Sequence, residues 1–152
     1  MTNDQKLPAA APPPAPVGIY EPFILCGQLL TLSAISSARD GQMITGKVGR
    51  DLDFAAAQEA ARRAAENLLK VLLGAVGGEE SRIVQILVIR GYVNAADDFA
   101  TVHKVIDASS ELIINRLGDK GRHARTALGC ATLPNNNAVT LEAMAVVTSG
   151  SA

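Results

Sequence analysis

The chain has 152 residues, a length for one domain, and 48% of them are apolar, enough to build a buried core. Its 14 Lys and Arg against 15 Asp and Glu leave a net charge of −1, and the basic residues are scattered, which excludes a nucleic-acid-binding stripe and a membrane-surface protein. No apolar run reaches the ~18–20 residues that span a bilayer, and the start lacks the charged-then-apolar order of a secretory signal, so a soluble cytoplasmic protein is expected.

Residues 1–17, with "LPAAAPPPAPV", read as a Pro/Ala-rich flexible arm, because successive prolines remove backbone donors and favour polyproline II. Residues 18–148 read as a single domain and 149–152 as a C-terminal tail. "FILCGQLLTLSAI" (23–35) is extended, with a break near Gly27, and Asp40-Gly41 is a turn signal between two strands. Asp53 is placed to cap a long helix, "FAAAQEAARRAAENLLKVLLGAV", that stops at Gly77-Gly78. Its wheel puts Phe54, Ala57, Ala61, Ala64, Leu68 and Leu72 on one stripe and Glu59, Arg62, Arg63, Glu66 and Lys70 on the opposite one. Leu73 falls among the charges and Leu69 at their border, which makes the pair a candidate second contact surface for a larger assembly.

"RIVQILVIRGYV" (82–93) is almost continuously apolar, the pattern of a strand covered on both faces. Asp97-Asp98 opens a second helix that runs to about Leu117 and ends at Gly118; its stripe holds Phe99, Val102, Val105, Ile106, Leu112 and Ile113, with His103 at the edge. Two last strands, "GRHARTALGCATLP" (121–134) and "AVTLEAMAVV" (138–147), join around "PNNN", whose asparagines tolerate left-handed turn geometry. The order predicts an α+β sandwich, one sheet with both helices on one face. No third helix remains for the other face, so oligomerisation is expected to cover it.

Chemistry is sparse. His103 and His123 pair neither with each other nor with a cysteine cluster, so no metal site is expected. Cys26 and Cys130 sit singly in apolar runs and read as buried reduced thiols; Cys130 as a nucleophile has no partner base in the sequence. "GAVGG" lies at a helix end, not at the helix start that cradles phosphate, and no G-x-S-x-G is present. Arg125 remains, sharing a strand face with Ala127, Gly129, Ala131 and Leu133. A planar, permanently charged fork binds a carboxylate bidentately, but a salt bridge to Glu142 or another acid explains it as well. His103 reads as a half-buried helix residue, with a catalytic role as the alternative.

Four segments in order, "GIYEPFILCGQLLTLSA", "DDFATVHKV", "HARTALGCATLP" and "VTLEAMAV", resemble the Rid family, the YjgF-like reactive-intermediate deaminases once called translation inhibitors and also endoribonuclease L-PSP-like. The resemblance covers roughly 18–147, and the arm with "KGRHAR" is similar to the subgroup with longer N-termini. It implies a chorismate-mutase-like α+β fold assembled as a homotrimer, with sheets facing the threefold centre and sites in clefts between subunits. It also implies hydrolysis of 2-aminoacrylate-type enamines and imines to 2-keto acids and ammonia, without a cofactor. Arg125 matches the family's carboxylate-binding arginine, and Tyr20 its tyrosine near the cleft. Three positions depart from the pattern. Ser33-Ala34-Ile35 stands where the family commonly has S-G-Q, and His103 stands where Asn follows D-F-A-T-V. Thr140 stands where the deaminases place a water-orienting Glu, while Glu142 matches a different family Glu. Threonine can bond a water but cannot accept its proton.

Two functions follow. The first is an imine/enamine deaminase, with Arg125, Thr140 and His103 as catalytic candidates and Arg125, Tyr20, Ser33, Ala34 and Thr126 as substrate-binding ones. The second is a catalytically weak or silent trimeric ligand-binding or assembly module, extended through Leu69 and Leu73. A ribonuclease, which the resemblance also carries, fits least with the near-neutral charge and the absence of paired histidines. The expected partners are a small carboxylate-bearing substrate and further copies of the chain, with no nucleic acid and no membrane.

Overall fold

The computed structural model describes residues 13–149, and a single five-stranded sheet organises them. The arm as far as residue 12 and the last three residues of the tail lie outside the described residues. The expected hairpin forms: β1 (Phe23–Cys26) pairs antiparallel with β2 (Leu29–Ser36), turning at Gly27. The turn at Asp40-Gly41 also forms. Arg39 and Gln42 exchange backbone hydrogen bonds of 2.7 and 2.9 Å around φ values of 52° and 74°, a type I′ geometry that favours glycine at its second position. The strands expected on either side of it do not form. Residues 37–53 make only isolated bridges, because their donors find partners elsewhere: Gly46 N donates to Asn136 O and Val48 N to Asn94 O.

Helix α1 (Phe54–Ala75) starts where expected, with Asp53 Oδ1 accepting from Ala56 N at 2.8 Å. Its predicted stripe is buried except for Phe54, which is 39% exposed. Leu69 corrects the sequence reading: it is 1% exposed, and Leu73 packs half-buried against the core. The cause is that α1 packs against both the sheet and the second helix, so a second stripe is covered. Of the pair expected to form a contact surface, only Leu73 therefore keeps partial exposure.

Strand β3 (Ile83–Asn94) follows, then α2 (Val102–Leu117), which begins about five residues later than the Asp97-Asp98 signal suggests. Those two acids sit exposed in a turn, where Phe99 N donates to Ala96 O at 3.0 Å, and the chain uses them to double back over the sheet. Val105, Ile106 and Ile113 bury the helix stripe as expected. Gly91 of β3 allows α2 its close approach, since a Cβ there would lie 2.5 Å from Ile106 Cδ1. Strand β4 (Ala124–Cys130) returns parallel to β3, and β5 (Val139–Val147) enters between β2 and β3, antiparallel to both. Asn135 and Asn136, at φ 56° and 55°, make the predicted turn between them. The strand order is β1-β2-β5-β3-β4.

Alternation along β5 defines the two faces. Val139, Leu141, Ala143, Ala145 and Val147 are buried beneath the helices, Leu141 contributing about 1.5–3 kcal/mol on burial. Thr140, Glu142, Met144 and Val146 point the other way, and pairing puts Tyr92, Arg90, Thr126 and Leu128 beside them. Among the described residues nothing covers this second face, so β3 is covered on one face and not on both; Ile24, Leu29 and Leu128 stand exposed there. The cysteines are free, but Cys26 is exposed rather than buried, because β1 is an edge strand. No described helix is long and apolar enough to cross a membrane.

Candidate functional site

A cavity of about 720 Å³ opens on the uncovered face beside β2 and β5, walled by residues 14–22 and by the turn at 133–137. Tyr20, Ser33, Ala34 and Thr140, four of the candidates, line it. Ser33 and Ala34 lie where the β2–β5 register slips between Leu32 and Ile35, an irregularity that re-aims side chains at a strand. Ser33 Oγ donates to Glu21 O at 2.6 Å and Ser33 N to Pro22 O at 3.0 Å, which straps the Tyr20 segment to β2. With its proton so used, Ser33 faces a ligand as an acceptor. The Tyr20 hydroxyl accepts from Val17 N at 3.3 Å, and the last residues of the arm, Pro14 to Val17, form one wall.

Two lining residues were missed by sequence reasoning. Glu142 follows Thr140 by two positions and so shares its face, and Tyr92 pairs with Thr140 across β3. Glu142 Oε1 accepts from the Tyr92 hydroxyl at 3.0 Å and from Arg90 Nη1 at 3.2 Å. Burial, and then the bond to Glu142, push the Tyr92 phenol up, so it remains a donor. Period-2 alternation in "VTLEAM" was the available signal for Glu142; the tyrosine was hidden in an apolar run. Among the lining residues Glu142 is the sole charge, so this cavity offers an acid and no cation.

Arg125, Thr126 and His103 do not line it. Arg125 pairs with Ile89, a helix-facing residue, and its side chain points toward α2. Its Nη1 meets Asp107 Oδ1 at 2.8 Å and donates to Ser110 Oγ at 3.1 Å. The acid left open by the sequence is thus Asp107; Glu142 belongs to Arg90. Ser110 Oγ lies 3.0 Å from His123 Nε2, and His123 Nδ1 lies 2.6 Å from the Gly121 carbonyl. A carbonyl only accepts, so Nδ1 holds the proton and Nε2 accepts from Ser110. Burial first, and then the Arg125 charge, hold His123 below its ordinary range. His103 is exposed one turn before Asp107 on α2, and Thr126 is exposed on the opposite face of β4 from Arg125.

The comparisons with known proteins agree with this fold. The family model described as "YjgF/chorismate_mutase-like, putative endoribonuclease" matches residues 4–147. Protein TCP17 of Trypanosoma cruzi is 33% identical over 141 residues, covering 91% of this chain and 86% of that protein. The solved structure of Atu1372 from Agrobacterium tumefaciens superposes with a TM-score of 0.85 at 38% identity, covering 88% of this chain and 86% of that one. An endoribonuclease-named protein of Shewanella oneidensis reaches a TM-score of 0.85 at 29% identity, covering 93% and 92%. The chain belongs to the YjgF/chorismate-mutase-like family.

Proposed function

We propose that the protein hydrolyses reactive 2-imino and enamine acids of the 2-aminoacrylate and 2-iminobutanoate kind to 2-keto acids and ammonia, at clefts between copies of a homotrimer. The observation that carries this reading is the division of the candidate site between opposite sides of one sheet: Tyr20, Ser33 and Thr140 beside β2, Arg125 on β4. Three strand spacings of ~4.8 Å separate β2 from β4, roughly 14 Å, too far for a substrate of a few atoms to touch both within one chain. A second copy that lays its β4 against the first copy's cavity supplies the missing cation. The exposed Ile24, Leu29 and Leu128 on the uncovered face support such an association.

An imino acid carries its own electrophilic carbon, so the enzyme's task is to hold the carboxylate and deliver water. Arg125, turning from Asp107, grips the carboxylate by charge-assisted bonds, with His103 on the neighbouring α2 of the same copy and Thr126 on the other face of β4. Tyr20 and Ser33 bound the remainder of the substrate, Ala34 sets how closely the β2 backbone approaches, and the Thr140 hydroxyl bonds the water. This chemistry calls for no cofactor and suits a soluble cytoplasmic protein.

One contact favours a second reading, a binding module without useful turnover: Asp107 already neutralises Arg125. The test is ammonia and keto-acid release from enzymatically generated 2-iminobutanoate and 2-aminoacrylate, with wild type and Arg125→Ala both sized by light scattering. Loss of a bidentate charged contact predicts at least a ~100-fold fall in kcat/KM with the trimer intact. Undiminished turnover by Arg125→Ala refutes the assigned role. An inactive wild-type trimer leaves the binding module, for which a small carboxylate still raises the melting temperature.

A further inference from the structure

We propose that Glu142, through its Oε2 atom, holds and deprotonates the water that attacks the substrate's C=N carbon. The inference rests on the deaminase reading above and deepens it. It starts from charge. Water bound by Thr140 needs a base, threonine is not one, and among the residues lining the cavity Glu142 alone carries a carboxylate. Glu142 lies two residues along β5 from Thr140 on the same face, a rise of ~6.8 Å between their Cα atoms, so one water between the two side chains reaches both.

The carboxylate is also held in a way that suits the task. Its two protein donors, Arg90 Nη1 at 3.2 Å and the Tyr92 hydroxyl at 3.0 Å, both approach Oε1. They engage one oxygen of a side chain that lines the cavity, and among the described residues Oε2 has no protein donor. The side chain is 30% exposed, open enough for solvent to arrive without passing through the core. A purely structural ion pair needs neither the phenol nor the cavity; the combination of a two-donor brace and a free oxygen over a ligand-sized space is what a positioned base requires.

The step balances for an iminium acid. Water gives one proton to Glu142 while its oxygen bonds to the C=N carbon and the π pair settles on nitrogen. The resulting carbinolamine receives that proton back on nitrogen from Glu142. The C–N bond then breaks with its electron pair on the departing ammonia, the carbon–oxygen double bond forms, and the hydroxyl proton ends on ammonia as ammonium. Glu142 is returned as it began, and nothing is oxidised or reduced.

The test is steady-state kinetics on 2-iminobutanoate for wild type, Glu142→Gln and Arg125→Ala, each sized by light scattering. Gln keeps an oxygen acceptor for Arg90 and Tyr92, so Glu142→Gln is expected to keep its assembly while kcat falls ~100-fold or more and KM changes little. A merely structural role would instead leave kcat near wild type in the assembled variant. Should Glu142→Gln fail to fold, Glu142→Asp serves instead, with a lower kcat and little change in KM. Glu142→Gln, or Glu142→Asp in its place, with wild-type kcat while Arg125→Ala is inactive, overturns the proposal and leaves the deaminase reading standing. No Arg125-dependent turnover in wild type sinks both.

Discussion

Replacing Gly91 by alanine tests how closely α2 is seated on β3. The new Cβ would lie 2.5, 2.7 and 2.9 Å from Cδ1, Cγ1 and Cγ2 of Ile106. Carbon atoms normally rest ~3.5–4.0 Å apart, so three contacts are each short by about 1 Å. Ile106 is fully buried and β-branched, with a stiff χ1 and close-packed neighbours, so it cannot swing aside cheaply. Overpacking of this kind costs ~1–3 kcal/mol. Alanine returns ~0.4–1 kcal/mol by narrowing the unfolded ensemble, so the clash wins and the net loss is about 1–2 kcal/mol. For a chain of this size that lowers the melting temperature by ~2–8 °C. Ile106→Val removes the atom in the worst contact and costs ~0.5–1.5 kcal/mol on its own. Combined with Gly91→Ala it removes the shortest of the three contacts, so the double variant should be more stable than the sum of the singles by about 1 kcal/mol. Urea denaturation at one fixed chain concentration measures all four proteins, since self-association would shift the midpoints. Additive losses, or a Gly91→Ala variant as stable as wild type, would refute the close seating of α2.

The remaining predictions concern charge, core and ligand. Because burial holds His123 of the folded protein below the ordinary imidazole range, the unfolded chain binds the extra proton first. Stability should therefore fall as pH drops through about 6.5, the ordinary imidazole value, and His123→Gln should flatten that part of a pH–denaturation series. Leu69→Ala should cost ~2–5 kcal/mol in a denaturant melt while light scattering shows an unchanged mass, the opposite of what an assembly contact would give. The cavity walls include Pro16, Val17, Ile24 and Leu133, so 2-keto acids should bind more tightly by ~4-fold per added side-chain carbon in a calorimetric series from pyruvate to 4-methyl-2-oxopentanoate. A flat series would show that the apolar walls are not available to the ligand.

Local signals carried most of the fold. The Asp53 cap, the Asp40-Gly41 turn, the asparagine turn before β5 and the alternation in "VTLEAMAVV" each depend on residues close in sequence, and each appears where expected. The misses share a different cause. Leu69 looked exposed because the wheel shows charges on its flank, but α2 lies on that helix as well as the sheet, and only tertiary packing reveals a second partner. Cys26 looked buried because its run is apolar, yet its strand is at an edge. In the candidate site, residue types were readable but partners were not. Any of several acids could have met Arg125, and whether Asp107 or Glu142 did so depends on which face of β4 the side chain leaves. The same face assignment separates Arg125 from Tyr20 and Thr140, a division no linear spacing displays.

The position of β5 has a consequence for how the chain comes to be folded. The strand nearest the C-terminus occupies the middle of the sheet, bonded on one side to β2 and on the other to β3. During synthesis the hairpin, α1, and the β3–α2–β4 unit can each form early and α1 can pack on α2, but the two parts of the sheet are joined only through the strand that follows them. Until then β2 and β3 present bare edges, which invite pairing with other chains. Closure of the sheet is thus a late step: losing β5 and the residues after it (139–152) should leave the sheet in two unjoined halves, whereas trimming β1 at the sheet's margin should be tolerated far better.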